Sequence, residues 1–285
     1  MPITNDIEIV KDYLGMVYWP SMNLNLIGDM IPGEGYQINM ISAQTFYYPE
    51  NDEEVVIVSC PPTVTDYDGN IYSTVQIGDQ CWMAENLKST HYADGTSMVD
   101  GTNVGNVSSD YTTKYVFDYN DNPLNSNTYG KLYSWAAMLD GNLCGSLNLE
   151  DRQGVCPTGW HVPDNNDWTV LQGTVDTQYD VSDSEWLASG DLGSDIGSNL
   201  KSNLSGSWSG LNLGVTNSSG FSALPGGYRL STGAFIYQGN NSYFWSSQAN
   251  CQFYGWYRSL SYNKTTIHKN FMNKGVALSV RCIKD

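Results

Sequence analysis

The chain has 285 residues, of which 40% are apolar, 13% aromatic and only 15% charged, and it carries a formal net charge of −17. That is enough apolar matter to bury one large domain or two modest ones, and it excludes a disordered chain. The acidic balance excludes nucleic acid as a partner, because such binding rests on cationic neutralisation of phosphates. No run approaches the ~20 apolar residues of a membrane span, so no membrane insertion is expected. The opening MPITNDIEIV has neither the basic start nor the apolar run of a signal peptide.

In chain order, residues 1–60 read as a small all-β module. Val17-Tyr18-Trp19, Gly35–Met40 and Thr45–Tyr48 carry short-strand signals, and Ile31-Pro32-Gly33-Glu34-Gly35 is a turn set by Pro and Gly. So short a piece is marginal as an independent core, which predicts packing on a neighbour or a partial module. Cys60-Pro61-Pro62 marks a stiff join. The second domain, 63–285, opens with a hairpin: Val64-Thr65-Asp66, a turn at Asp68-Gly69-Asn70, then Ile71–Ile77. A second turn at Gly78-Asp79 leads to Trp82-Met83.

Two helices are expected. Leu132–Leu139 lacks breakers and places Leu132, Trp135, Ala136 and Leu139 at i, i+3, i+4 and i+7. The other starts at Asp164, a capping residue, and sets Trp168 and Leu171 on one face. Gly-, Ser- and Asn-rich loops follow, including Asn203–Gly220, and strand signals close the chain at Tyr243–Ser247, 254–262 and Ala277–Ile283.

The segment Trp256–Asn263 is the most telling. Trp256, Arg258, Leu260 and Tyr262 point to one side of a strand, and Tyr257, Ser259, Ser261 and Asn263 to the other. A half-buried strand usually carries charge on its wet face. Here that face carries Tyr, Ser and Asn, the chemistry of a recognition surface. Charge is also uneven. From Ile236 onward the net charge is +5, leaving −22 for the rest. Either this tail meets an acidic ligand, or acids were excluded from a packed closing region.

Catalytic and metal signatures are thin. Six cysteines (Cys60, Cys81, Cys144, Cys156, Cys251, Cys282) show no C-x-x-C pair, which argues against zinc. They fit an oxidising compartment, with fifteen connectivities open. Asp66-Tyr67-Asp68-Gly69-Asn70 imitates the start of a calcium loop, but Ile71 and Ile77 stand where an EF-hand needs Gly and Glu. A hairpin turn is the better reading. Asp118-Tyr119-Asn120-Asp121-Asn122 is oxygen-rich, the one stretch suited to Ca²⁺; no other cofactor is expected. His91, His161 and His268 are the three histidines. No nucleophile elbow, phosphate loop or His-Glu-x-x-His appears.

Several blocks appear in order. They include Asp66–Tyr72, Val75-Gln76-Ile77-Gly78, Trp82-Met83-Ala84-Glu85-Asn86-Leu87, Tyr129–Trp135 and Cys156–Pro163. Gly220–Arg229, Phe244-Trp245-Ser246-Ser247 and Ser279-Val280-Arg281-Cys282 complete the series. Together they resemble the Fibrobacter succinogenes major paralogous domain across essentially all of 63–285. The run from Lys11 to Gln37 resembles a small β module of secreted bacterial proteins. The resemblance implies an α+β, C-type-lectin-like domain with two helices, small antiparallel sheets and long loops. It also implies a non-catalytic binding protein of adhesin or receptor-binding type, since the oxidative alternative in related folds needs a reactive cysteine pair.

The implied scaffold positions are Trp256, Arg258, Leu260, Tyr262, Asn273, Lys274, Ser279 and Arg281. In many similar domains the positions between them are Asn. Here they are Tyr254, Tyr257, Ser259, Ser261, Thr266, His268 and Phe271, each reachable from an Asn codon by changing adenines alone. That is the pattern of diversity-generating retroelements, from which Lys264 and Met272 depart. With Asn250, these seven form the expected ligand face, solvent-open and replaceable without unfolding. A protein or glycan ligand on a cell surface is the expected partner, with an extracellular, cell-surface or phage-particle location. The resemblance further implies a Cys156–Cys282 disulfide. Cys81 is left to Cys60 or Cys144, and Cys251 is free or itself a diversified position.

Overall fold

The computed structural model describes residues 7–11, 16–22, 24–27, 37–41, 60–142, 152–210, 212–250 and 253–285. The chain divides into two compact units, Met1–Val58 and Ser59–Asp285. In the first, β1 (Ile7–Lys11), β2 (Val17–Trp19), β3 (Leu24–Asn25) and β4 (Gln37–Met40) form a sheet in the order β3-β2-β1-β4. The expected strands at 17–19 and 37–40 are present, and β1 is an addition. The turn at 31–35 and the strand at 45–48 lie outside the described residues.

The second unit is α+β, with short helices among three sheets. Its opening hairpin is β5 (Thr63–Thr65) and β6 (Ile71–Ile77), continued by β7 (Gln80–Met83). The turn is held by Asp66, whose carboxylate accepts from the Asn70 N–H, the Asn70 amide and the Tyr72 hydroxyl. Asp66 therefore spends its acceptors on the turn. The other end of the chain closes this sheet: β19 (Ile283–Lys284) lies between β7 and β11 (Trp160–His161). Cys156 and Cys282 form a disulfide beside it, as do Cys60 and Cys81 across the hairpin. Cys144 and Cys251 lie outside the described residues. Two disulfides fit an oxidising compartment. No helix among the described residues is long and apolar enough to cross a membrane.

The helix expected from Asp164 is there, at Asn165–Val175, with a full capping box between Asp164 and Asp167. The helix expected at Leu132–Leu139 is not. Leu132–Ser134 is a strand, β10, and only Trp135–Met138 is helical. The reason is Ser134, which caps that short turn by accepting from the Ala137 N–H. Every residue from Leu132 to Leu139 is buried, so a helical spacing of apolar residues carries no information there. β10 joins a sheet in the order β14 (Phe235–Gln238), β13 (Gly226–Arg229), β18 (Ala277–Leu278), β10, β9 (Tyr115–Phe117), β8 (Val99–Asp100), whose last pair is parallel rather than antiparallel.

The third sheet carries the site. Its order is β12 (Gly190–Leu192), β17 (Ile267–Asn273), β16 (Tyr254–Ser261), β15 (Asn241–Asn250). Strand β17 was not anticipated, and the strand expected at Ala277–Ile283 is two short ones, Ala277–Leu278 and Ile283–Lys284. Both faces of this sheet are covered. Tyr243, Trp245 and Tyr257 join one core with Trp135, while Leu192, Phe244, Leu260 and Ile267 join another with Trp82, Trp168 and Trp186. Gly255 is required where the sheet meets the first core, since a Cβ there would lie 2.0 Å from the Trp135 ring.

Buried cations tie loops to this frame. Arg281 donates to the Met83, Phe221 and Ser222 carbonyls and the Asn86 side chain. Arg229 donates to the Val104, Gly105 and Leu230 carbonyls. Arg258 donates to Gln172, Asn165 and the Tyr257 carbonyl. Lys269 donates to the Trp186 carbonyl at 2.6 Å. All four are buried, and none has an ion-pair partner among the described residues. Of the six cations from Ile236 onward, Arg258, Lys269, Lys274 and Arg281 are buried while Lys264 and Lys284 are not. Most of the tail's positive charge is therefore internal, which favours exclusion of acids from a packed closing region.

Candidate functional site: a polar cleft on the last sheet

Strand register builds the site. Tyr243 on β15 pairs with Ser259 on β16, Ser259 with His268 on β17, and His268 with Asp191 on β12. Side chains directly opposite one another share a face, so these four form one row across the sheet. Asn241 and Ser261 form the next row. Tyr257 lies two residues along β16, on the same face by the period of two. The turn between β16 and β17 adds Lys264 and Thr266. These nine side chains line a cleft of about 210 Å³.

The turn is fixed from below. Lys201, fully buried, donates to the carbonyls of Leu213 (3.2 Å), Ser261 (3.1 Å) and Lys264 (2.8 Å). Gly197 donates its N–H to the Thr265 carbonyl at 2.6 Å, and any Cβ there would meet the Thr266 carbonyl at 2.3 Å. Burial pushes the Lys201 ammonium down to about 8.

Charge in the cleft is internally balanced. Asp191 accepts from Lys264 Nζ at 2.5 Å and lies 2.9 Å from His268 Nδ1. Burial raises its carboxyl, but the contacts from Lys264 and His268 outweigh that and hold it below its ordinary value. Burial pushes the Tyr257 hydroxyl up to about 12 and the Tyr243 hydroxyl higher still. Both phenols are therefore proton donors at neutral pH.

Tyr257 and Ser259 are only 6% and 7% exposed. This corrects the expectation of an open face. The ring of Tyr257 belongs to the core, 5.8 Å from Tyr243, and the residue lines the cleft from there. Among the described residues, the side chains of Tyr257, Ser259 and Thr266 have no hydrogen-bond partner, and His268 uses Nδ1 alone. None of these three hydroxyls is sealed from solvent, so the cleft presents them as donors and acceptors that no protein group occupies.

Five of the expected site residues are brought together: Tyr257, Ser259, Ser261, Thr266 and His268. Tyr254 and Phe271 are not. Their parity places them with Trp256 on the opposite face, where Tyr254 and Phe271 meet edge to face at 5.6 Å and are about two-fifths exposed. Asn250 pairs through its backbone with Tyr254 at the far end of the hairpin, and its side chain lies outside the described structure. Asp191, Asn241, Tyr243 and Lys264 were not foreseen. For Asn241 and Tyr243, alternation from Trp245 would have sufficed. For Asp191, no local signal exists.

The remaining polar candidates are structural. His161 Nδ1 lies 2.6 Å from Asp285 and Nε2 3.4 Å from Asp167. His91 is spoken for by Asp68 at 2.5 Å. Asp118 accepts from Lys131 at 2.7 Å and from Ser126. No group of three His, Cys, Asp or Glu side chains gathers as a metal site among the described residues.

The family model described as the Fibrobacter succinogenes major domain matches residues 75–284. No curated protein and no solved structure matches the chain.

Proposed function

The chain belongs to the Fibrobacter succinogenes major domain family, and on that premise we propose that it is a non-catalytic recognition protein whose cleft on the last sheet captures a ligand at a cell surface. One observation carries this reading. Tyr257 and Ser259, held by a packed sheet and more than nine-tenths buried, line the cleft with hydroxyls that no protein group occupies and that solvent still reaches. The arrangement of helices beside small sheets, with the chain end closing the first sheet, supports a C-type-lectin-like scaffold. The two disulfides support an extracellular or particle-displayed setting. That five of seven adenine-reachable positions converge on the cleft supports a diversifiable ligand face.

A second reading is favoured by the exposed rings of Tyr254 and Phe271 on the opposite face, which suit a structural module packing on a neighbour. One experiment separates the two. The full chain is screened against displayed glycans and peptides, then as Tyr257→Phe/Ser259→Ala and as Tyr254→Ala/Phe271→Ala. Loss of two hydrogen bonds is worth about tenfold or more in affinity. Cleft variants should lose binding while the opposite-face variants keep it. The reverse pattern, or cleft variants that bind as well as the parent, would sink the cleft reading.

A further inference from the structure

We propose that the cleft takes one neutral pyranose ring, whether a free sugar or the terminal residue of a glycan. This rests on the cleft being a ligand site, and three independent features specify the ligand.

The first is size. At about 210 Å³ the cleft falls below the roughly 300–1,000 Å³ that holds a drug-sized ligand. It fits a single ring rather than an extended peptide.

The second is charge. Lys264 is taken by Asp191 at 2.5 Å, and Asp191 is shared with His268 at 2.9 Å. No cation is left over to hold an anion, and no carboxylate is left over to hold a cation. What remains unpaired is hydroxyl: Tyr257, Ser259 and Thr266. A hydroxyl can donate or accept, and so can each hydroxyl of a sugar, so such a lining suits a ring ringed by hydroxyls better than an ion.

The third is Tyr237. It sits at φ +66°, a conformation in which a bulky side chain is a genuine outlier, and strain of this kind gathers at ligand sites. The backbone is crowded at this point: Gly227, opposite Tyr237 across the pair of strands 226–229 and 235–238, comes so close that a Cβ would lie 2.4 Å from the Ile236 carbonyl. Tyr237 presents a half-exposed phenol ring set beside the cleft residue Tyr243 at 6.4 Å and stacked on Tyr228 at 6.1 Å. It is not one of the nine lining residues but lies one ring beyond them. A ligand rising from the hydroxyl floor would thus meet a half-exposed aromatic ring, matching the two sides of a pyranose: a polar edge and an apolar C–H face.

The test uses the full chain and a panel of methyl glycosides of glucose, galactose, mannose and N-acetylglucosamine. Each is offered at about 20 mM, enough to occupy a site with Kd near ~1 mM, and read by saturation-transfer NMR and calorimetry. At least one glycoside should receive saturation on its ring protons, and its charged uronic counterpart should bind more weakly. Tyr257→Phe, which keeps the buried ring, and Tyr237→Ala, which removes the rim, should each weaken binding several-fold with the fold intact by circular dichroism. A longer oligosaccharide that binds more tightly than its methyl glycoside identifies a glycan terminus; equal binding identifies a free sugar. No transfer from any glycoside, stronger binding of the uronate, or indifference to both variants overturns the proposal. Cleft-dependent capture of a peptide without any glycoside signal overturns the sugar and leaves the cleft a ligand site.

Discussion

Lys201→Met tests how the cleft is held in place. The ammonium is fully buried beneath the turn that carries Lys264 and Thr266, and it donates to three backbone carbonyls. Methionine fills similar space but donates nothing. Losing three bonds at about 1 kcal/mol each gives a loss near 3 kcal/mol. The Ser261 carbonyl softens this, because it also accepts from the Lys264 N–H. With a urea slope near ~3 kcal/mol per M, the midpoint should fall by about 1 M. The pH dependence is the sharper signature. Burial lowers the folded pKa to about 8 from 10.5, so between those values the unfolded chain holds a proton that the folded chain has shed. Stability of the parent then rises with pH across that window, relative to a variant with no titrating group. Tyrosines titrate in the same range but are common to both proteins and cancel. Urea melts of both at pH 7, 8, 9 and 10 should show the gap widening above pH 8. A gap that is flat or narrows would refute the lowered pKa, and a loss below ~1 kcal/mol at pH 7 would refute the anchoring role assigned to Lys201.

Three further outcomes follow from the packing. Tyr257→Ala should cost about 3–4 kcal/mol in thermal or chemical melts, because the ring is core, whereas Tyr257→Phe should stay within ~1 kcal/mol. Gly255→Ala should destabilise by about 3 kcal/mol, since its methyl meets the buried Trp135 ring, and Trp fluorescence should shift with it. For His161, burial lowers the folded pKa but hydrogen bonds to Asp167 and Asp285 win and raise it. Its contribution is complete below the unfolded value near 6.5 and is lost as pH rises through the folded one. The stability gap between the parent and His161→Gln, about 2 kcal/mol at pH 5.5, should therefore shrink toward pH 8.

Local chemistry made part of this fold readable. Asp66 through Asn70 reads as a turn in preference to a calcium loop, and Asp164 announces a helix start, to which the structure adds Asp167 as the other half of a capping box. Other features were readable but misjudged. Tyr254 and Tyr257 differ in parity, so one flat strand could never present both on one face. The Tyr and Ser positions of β16 look wet by composition, yet two cores enclose the sheet, and Tyr257 and Ser259 are buried within it. Strand β17 mixes Ile, His, Lys, Asn and Phe without a clean alternation, which is why it went unseen. Asp191 is 77 residues from His268, and nothing short of the sheet register joins them. Likewise, Cys81 pairs with Cys60 rather than Cys144 because the β5–β6–β7 hairpin folds the two together.

The inward-facing basic side chains alter how this molecule meets others. Of its 13 lysines and arginines, Lys201, Arg229, Arg258, Lys269, Lys274 and Arg281 are withdrawn from solvent. What the medium encounters is accordingly more one-sided than the formal −17 conveys. Copies crowded side by side would repel and stay dispersed, and approach to a polyanionic coat would slow as ionic strength drops. An uncharged target escapes that penalty, because its association rate would hardly respond to salt.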